Sequence, residues 1–230
     1  MASKNSVKQY VENGYYHLYN RGVEKRKIFQ DKQDYAVFLD YLKTYLMPKD
    51  TEELNKRLMD ENTSPQEKAH ALKLLKMNNF YDEIHLISYC LMPNHFHFLV
   101  KQKSLNAIDG FINSLFTRYV MYFNRKYKRV GPLFQDVYKA VLVVSEPQLL
   151  YLTGYIHRNP KKLALKGGPF QTQPSSYADY LGQRNTDWIK CKEILSFFSS
   201  TNPVLSYQSF VEQTSDFSHI NDLLLEEDDF

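Results

Sequence analysis

The stretch that decides the predicted fold is IHLISYCLMPNHFHFLVK, residues 84–101. Its first part, residues 84–91, is a short apolar run, which is typical of a buried strand. Pro93 and Asn94 then favour a turn. The last part, residues 95–101, alternates in character and indicates the returning strand of a hairpin. The stretch therefore predicts two adjacent antiparallel strands.

The alternation along the second strand separates histidines from phenylalanines. Successive side chains of a strand point to opposite faces, so His95 and His97 would share one face while Phe96 and Phe98 share the other. The phenylalanine face can cover a core. Two imidazoles at neighbouring positions of one face are suitably placed to share a metal ion. For so short a motif alone, a pair of surface or hydrogen-bonded histidines is the commoner outcome.

The chain before the hairpin predicts one strand, one long helix and an insertion. Residues 14–21 are rich in tyrosine and other strand-forming residues, which indicates a strand. Asp31 is suited to cap a helix that carries one apolar stripe and ends at Pro48. Residues 49–80 are polar and predict two short helices that separate near residues 63–65. We interpret this stretch as an insertion between core elements.

The chain after the hairpin predicts a helix, a strand and a further helix. Ser104 is suited to cap the first helix. Residues 138–144 indicate a strand, and Ser145 opens a helix that runs to about Asn159 and is stopped by Pro160. The order of elements predicts an α+β domain with an antiparallel sheet and helices on one face.

The composition is that of a globular chain with an uneven distribution of charge. Of 230 residues, 43% are hydrophobic and 24% are charged, with a net charge of +3. Residues 164–230 carry 4 basic and 10 acidic side chains, whereas residues 1–163 carry 25 and 16. A basic body favours an anionic partner, although a solvated surface is the commoner explanation of charge by itself.

Cysteine usage and hydropathy exclude several classes of protein. The two cysteines, Cys90 and Cys191, are far apart, which argues against a disulfide framework or a cysteine-rich zinc site. The N-terminal residues lack the apolar core of a signal peptide. No window approaches the roughly 20 apolar residues of a membrane helix. We therefore expect a cytoplasmic protein with no membrane partner.

A second candidate for chemistry is YLTGYIHRNPKKL, residues 151–163. Tyr155 and Asn159 are four residues apart, so a helix would project the phenol and the amide together. An asparagine oxygen is a reasonable third ligand for a hard cation such as Mg²⁺ or Mn²⁺. His157 would lie on another face and is a poorer candidate. In a chain with 18 tyrosines, Tyr155 alone would be interpreted as a core residue.

Residues 118–129 interleave basic and aromatic side chains. Cations can follow a phosphate backbone while aromatic rings stack on bases. The alternative places the rings in the core and the cations in solvent. We expect a mixture, with Tyr119 and Phe123 in the core and residues 124–129 on a nucleic acid.

Several ordered blocks together resemble one known family. They are YYHLYNRG, ISYCLMPNHFHFLV, RYVMYFNRKYKRVGPLFQ, YKAVLV and LTGYIHRNP, and they span about residues 13–166. This set is similar to the HUH single-tyrosine transposases, and within them to the REP-associated tyrosine transposases and related insertion-sequence enzymes. The later PSSYADYLG, residues 174–182, resembles a segment that follows the domain in many relatives. The resemblance implies a ferredoxin-like sheet of the HUH endonuclease type over residues 10–166, followed by a C-terminal extension over 167–230 that ends in an acidic tail.

The resemblance also implies the roles of individual residues. The metal-binding histidine pair of the family falls on His95 and His97, and its nucleophilic tyrosine falls on Tyr155. The polar residue one turn later, which completes the metal site in relatives, falls on Asn159. Two departures do not touch these groups: the 49–80 insertion is longer than expected, and lysines follow Asn-Pro where some relatives have Val-Arg.

The implied activity is metal-dependent cleavage and rejoining of single-stranded, hairpin-forming DNA. It would proceed through a 5′-phosphotyrosine intermediate, with Mg²⁺ or Mn²⁺ as cofactor. Relatives include dimers and monomers, so the oligomeric state stays open. It also stays open whether Tyr155 acts with the histidines of its own chain or with those of a partner chain. The residues expected to contact DNA are Arg21, Arg118, Arg125, Lys126, Lys128, Arg129, Lys139, Arg158 and Lys161.

Two other functions fit the same sequence. The first is a protein that binds DNA hairpins without cutting them, derived from such a transposase. The second is a phosphodiesterase that uses metal-bound water and forms no protein adduct. Loss of Tyr155 separates the transposase from the phosphodiesterase, because only the transposase needs the phenol.

Overall fold

The computed structural model describes residues 8–165, 173–213 and 220, and only the backbone within 161–165. Four strands form one antiparallel sheet in the order β2-β3-β1-β4. This arrangement with its helices confirms the predicted α+β fold class. The strands are β1 (Tyr15–Arg21), β2 (Ile84–Met92), β3 (His95–Gln102) and β4 (Lys139–Val143).

Eight α-helices accompany the sheet in the described residues. The two predicted helices of residues 49–80 are present as α2 and α3. Asp31 caps α1 as predicted, since its side chain accepts a hydrogen bond from the backbone N of Asp34. The helices are α1 (Lys32–Leu46), α2 (Thr51–Met59), α3 (Pro65–Lys76), α4 (Ala107–Lys126), α5 (Glu146–Leu165), α6 (Tyr177–Tyr180), α7 (Lys192–Leu195) and α8 (Tyr207–Gln213).

The two faces of the sheet are covered by different helices. On the phenylalanine face, Phe38 of α1 packs against Phe96 and Phe98 with ring centroids 6.2 Å apart in both pairs. Tyr119 of α4 meets Phe38 edge to face at 4.8 Å. Helices α1 and α4 make the predicted layer on this face, but the prediction that the helices lie on one face only is wrong. Helix α5 lies on the opposite face, where Tyr155 packs against His97.

Two predicted helix boundaries need correction. Ser104 does not cap α4: its hydroxyl donates to Glu83, and the helix begins at Ala107 after Asn106, which adopts a left-handed conformation with φ of 66°. Pro160 does not stop α5, which continues to Leu165 with this proline inside. A proline removes one backbone hydrogen bond. Fully buried side chains such as Leu152 and Ile156 hold α5 against the sheet, and this packing outweighs the lost bond.

Part of the C-terminal extension covers the outer edge of β2. The backbone N of Leu91 donates to the carbonyl of Pro174 at 2.9 Å, and the N of Ser176 donates to the carbonyl of Tyr89 at 3.0 Å. Further along, the N of Lys190 donates to Leu86 at 2.9 Å. The extension therefore satisfies backbone groups that an edge strand would otherwise expose. The acidic tail of the sequence lies outside the described residues.

Candidate active site

The predicted histidine pair lies on the face of the sheet that α5 covers. Register places Arg21 opposite His95 and Tyr19 opposite His97, so side chains of β1 share this face. His17 belongs to the same row, and it is fully buried like His97. His95 is 3% exposed. The sheet thus presents three buried imidazoles on one face.

Each predicted metal-binding histidine uses its Nδ1 atom in a local hydrogen bond. His95 Nδ1 lies 2.7 Å from Asn94 Oδ1. Because a carbonyl oxygen only accepts, the Nδ1 atom of His95 carries the proton and its Nε2 atom carries the lone pair. His97 Nδ1 lies 2.9 Å from His17 Nε2. In both residues the hydrogen-bonded nitrogen is therefore Nδ1, which makes Nε2 the candidate atom for metal coordination.

Burial keeps the imidazole of His95 neutral. Removal from water, with a smaller contribution from the positive charge of Arg21, lowers the pKa of His95 from 6.5 to about 3. The ring is therefore neutral at pH 7. Neutral imidazole is the form that binds a metal ion.

Tyr155 lies directly against the histidine row. Its ring meets the ring of His97 edge to face, with centroids 5.6 Å apart and planes at 87°. The tyrosine is 2% exposed. The ring of Tyr155 therefore contacts a histidine of its own chain.

Asn159 projects from the same side of α5 as Tyr155. It is 2% exposed, and its Nδ2 atom donates to the backbone carbonyl of Tyr155 at 3.0 Å. With the amide nitrogen engaged, the Oδ1 atom is the part of the side chain that can accept or coordinate.

The chemistry of these donors fits a small divalent ion with mixed ligands. Within the described residues, no group of three or more His, Cys, Asp or Glu side chains could hold a metal. A site built on His95 and His97 therefore needs a ligand of another type. The buried amide of Asn159 has a hard oxygen suited to Mg²⁺ or Mn²⁺. The buried imidazoles of His95 and His97 would supply the nitrogen ligands.

His157 lies on another face of α5, as predicted, and ties the helix to the C-terminal extension. Its Nδ1 atom is 2.6 Å from the hydroxyl of Tyr207, and its Nε2 atom is 2.7 Å from Ser176 Oγ. Burial, and secondarily the charge of Arg184, lowers the pKa of His157 to about 3. His157 is therefore an uncharged anchor for the helix that carries Tyr155.

The low pKa of His157 predicts loss of stability in acid. The unfolded chain binds a proton on this residue below pH 6.5, whereas the folded chain does so only near pH 3. Stability is therefore lost as the pH falls from 6.5 towards 3. Between pH 7 and 5, the wild type should lose about 2 kcal/mol more unfolding free energy than His157→Gln. Urea denaturation at both pH values measures this difference, and equal losses in the two proteins would contradict it.

The structure changes the expectation for two of the predicted DNA-contacting residues. Lys126 Nζ lies 2.7 Å from Asp31 and 2.8 Å from the fully buried Asp34, so its charge is balanced within the chain. The guanidinium of Arg118 stacks 3.8 Å over the ring of Tyr41, in the helical layer on the other side of the sheet. Both side chains have structural roles that their local sequence does not reveal.

The other predicted basic residues lie in several places. Arg125 and Lys128 are exposed near the end of α4, and Arg129 donates to Asn124 Oδ1 at 3.0 Å. Three more lie on or beside the histidine face, and one side chain lies outside the described residues. The three on or beside the histidine face are Arg21, Lys139 and Arg158. The Nε atom of Arg21 donates to Gln135 at 2.7 Å, Lys139 is opposite Tyr19, and Arg158 is half-buried on α5. The side chain outside the described residues is that of Lys161.

Sequence reasoning missed His17 and the loop that follows β1. The signal for His17 was present, because alternation places it on the same face of β1 as Tyr19 and Arg21. The loop packs on the turn before His95: the N of Gly22 donates to Asn94, and the N of Ile28 donates to Pro93, both at 2.8 Å. Lys27 in this loop is exposed. Burial lowers the pKa of Arg129, and the positive charge of Arg26 lowers it further, so the loop and the end of α4 are neighbours.

One protein-family model matches part of the chain. Residues 56–159 match the model of the IS200-like transposases. This match confirms the predicted resemblance, and it contains His95, His97, Tyr155 and Asn159. It spans just under half of the chain and begins within α2. Strand β1 lies before the segment that matches the IS200-like transposases, yet it is an inner strand of the sheet.

Two solved structures are similar in fold. One is a REP-associated tyrosine transposase bound to a REP hairpin, with 10% identity and a TM-score of 0.40; the similarity covers 81% of this chain and 97% of that one. The other is a candidate transposase from Deinococcus radiodurans, with 16% identity and a TM-score of 0.36, covering 67% and 96%. No curated protein matches the chain.

Among the described residues, no helix is both long enough and apolar enough to span a membrane.

Proposed function

We propose that this protein cleaves and rejoins single-stranded DNA, with Tyr155 as the nucleophile and His95, His97 and Asn159 as ligands of a divalent metal. The observation that carries the proposal is the buried packing of the Tyr155 ring against His97, in a row of buried imidazoles. His95 and His97 lie side by side in this row, with ring centroids 5.0 Å apart. The match to the IS200-like transposases supports the same residues in these roles.

The reaction is a transesterification at phosphorus. The Oη atom of Tyr155 forms a bond to the phosphorus of the scissile phosphate while the bond from phosphorus to O3′ breaks. The phenol loses its proton, and the departing O3′ gains one. The products are a 5′-phosphotyrosine and a free 3′-hydroxyl, and reversal of the same step rejoins a strand. No energy source is needed because one ester replaces another.

This step needs an ionised phenol and access of the DNA to a buried site. An ordinary tyrosine ionises near pH 10, so an attacking phenol needs a nearby positive charge at neutral pH. A bound divalent ion would supply that charge and would polarise the phosphate. The chain's own contribution is to keep the His95 imidazole neutral and the phenol ring oriented against His97. Because Tyr155 and His97 are nearly inaccessible to water, DNA must displace covering side chains to reach them.

The exposed cations near the β2–β3 turn form the surface on which we propose that DNA lies. Lys27 follows β1, and Arg125 and Lys128 are at the end of α4. The loop after β1 is hydrogen-bonded to Pro93 and Asn94, immediately before His95. Phosphates bound here would continue towards the histidine face. By the family resemblance, the ligand is a hairpin in single-stranded DNA.

Two neighbouring lysines give a matched test of this surface. Lys128→Ala should weaken binding of a hairpin oligonucleotide and reduce the slope of log affinity against log salt by about 0.7, as expected for one lost phosphate contact. Lys126→Ala should leave the slope unchanged but lower the unfolding free energy, since it leaves Asp34 buried without its ion pair. Fluorescence anisotropy across a salt series measures the slopes. Equal slopes for Lys128→Ala and the wild type would remove Lys128 from the DNA surface.

The activity is tested with a 5′- or 3′-labelled hairpin oligonucleotide carrying single-stranded flanks, incubated with protein and Mg²⁺ or Mn²⁺. A covalent protein–DNA product on a denaturing gel, together with a free 3′-hydroxyl fragment, is the expected result. Tight binding with no product under either metal would favour a hairpin-binding protein. Cleavage without any adduct would favour a phosphodiesterase that uses water.

A further inference from the structure

Given the proposed metal site, we propose that His17 is a positioning residue that fixes the tautomer of His97. The N–H at Nδ1 of His97 donates to Nε2 of His17, so the lone pair of His97 is at its Nε2 atom. His17 precedes the segment that matches the IS200-like transposases. It makes no direct contribution to the proposed ligand set.

The geometry of the pair supports this role. The two nitrogen atoms are 2.9 Å apart, and both rings are fully buried. The ring centroids are 5.2 Å apart with planes at 17°, so the two rings lie edge to edge and nearly in one plane, as a hydrogen bond between two ring nitrogens requires. On its other side, His17 contacts the ring of Tyr19 at 4.7 Å. His97 can therefore neither rotate nor exchange its partner without disturbing β1.

The direction of the hydrogen bond decides whether His97 can bind a metal. If His17 were the donor, the Nδ1 atom of His97 would hold the lone pair and its Nε2 atom would carry the proton. A protonated Nε2 atom cannot coordinate. His95 has the required arrangement, since Asn94 Oδ1 can only accept from its Nδ1 atom. Histidine ligands of metals usually donate their other N–H in this way. His17 performs for His97 the function that Asn94 performs for His95.

The tautomer is measured on metal-free wild-type protein by long-range ¹H–¹⁵N NMR of the histidine rings. We expect the Nδ1–H form at His97. The Nε2–H form would overturn the proposal. This measurement needs no variant and no activity, so it decides the role of His17 even if the protein binds no metal and the proposed metal site fails.

Two substitutions then test the consequence for metal binding. His17→Phe keeps an aromatic ring but removes the acceptor, and it should weaken Mn²⁺ binding by roughly 10- to 100-fold. His17→Gln retains an accepting oxygen and should stay within about threefold of the wild type. Mn²⁺ affinity is measured by electron paramagnetic resonance, with folding checked by thermal denaturation in EDTA. Equal losses in the two variants, or no loss in His17→Phe, would overturn the proposal.

A control for non-specific metal binding is available on the same face of the sheet. His85 lies opposite Lys101 at the far end of the β2–β3 pair and is exposed. His85→Gln should leave the Mn²⁺ affinity unchanged. If it lowers the affinity as much as His17→Phe does, Mn²⁺ binds by surface imidazoles and His17 has no role in positioning a ligand.

Discussion

Tyr155→Phe should abolish the covalent protein–DNA product and lower the cleavage rate by roughly 10⁴-fold or more, as loss of a nucleophile does in other enzymes. The variant lacks only the attacking oxygen. Because the ring itself packs on His97, phenylalanine preserves that contact and the fold should be retained. The variant should therefore still bind hairpin DNA. A denaturing gel of protein incubated with labelled hairpin and Mn²⁺ measures the adduct.

Tyr151→Phe is the matched control for this experiment. Tyr151 lies one turn earlier on α5, but its ring packs on Phe210 of α8 with centroids 5.6 Å apart. Removal of its hydroxyl should leave adduct formation within about twofold of the wild type. An adduct that persists in Tyr155→Phe would show that another group is the nucleophile. Cleavage without adduct in the same variant would instead support attack by water.

His97→Gln should lower metal-dependent cleavage by roughly 10²-fold or more, because the proposed metal loses a nitrogen ligand. His95→Gln should have a similar effect. Hairpin binding in EDTA should change little in either variant, since the exposed cations lie elsewhere. The cleavage rate is measured across a Mn²⁺ titration. If the variant only binds the metal more weakly, the cleavage rate should recover in part at high Mn²⁺ concentration. If the variant is unfolded, the cleavage rate should not recover.

The two histidine variants differ in their expected stability. His97 is fully buried and hydrogen-bonded to His17, so its replacement leaves a buried nitrogen of His17 without its partner, at a cost of about 1–3 kcal/mol. His95 is at the edge of the site, and its partner Asn94 is in a turn. Thermal denaturation in EDTA should therefore show the larger shift for His97→Gln. Unchanged cleavage in both variants would exclude the proposed metal site.

Much of the site follows from two periodicities in the sequence. Alternation in a strand puts His95 and His97 on one face and Phe96 and Phe98 on the other, and the structure has this arrangement. A spacing of four residues in a helix puts Tyr155 and Asn159 on one side. These predictions succeed because they depend only on local geometry.

Long-range pairing explains what local sequence could not predict. His17 and His97 are 80 residues apart in the chain, and Lys126 is 92 residues from Asp34. The basic character of residues 124–129 is visible in the sequence, but the carboxylates that neutralise Lys126 are far from it. The choice of face by α5 likewise depends on packing against the assembled sheet. The early end predicted at Pro160 fails for the same reason, because tertiary contacts override a local preference.

The covering of β2 has a consequence for assembly. A four-stranded sheet has two outer rims, and here they are β2 and β4. The chain segment around residues 174–176 and Lys190 already occupies part of the β2 rim through backbone hydrogen bonds. If two copies were to join their sheets into one continuous sheet, they would meet through β4, which spans only Lys139–Val143. Docking of an extended peptide as a fifth strand faces the same restriction.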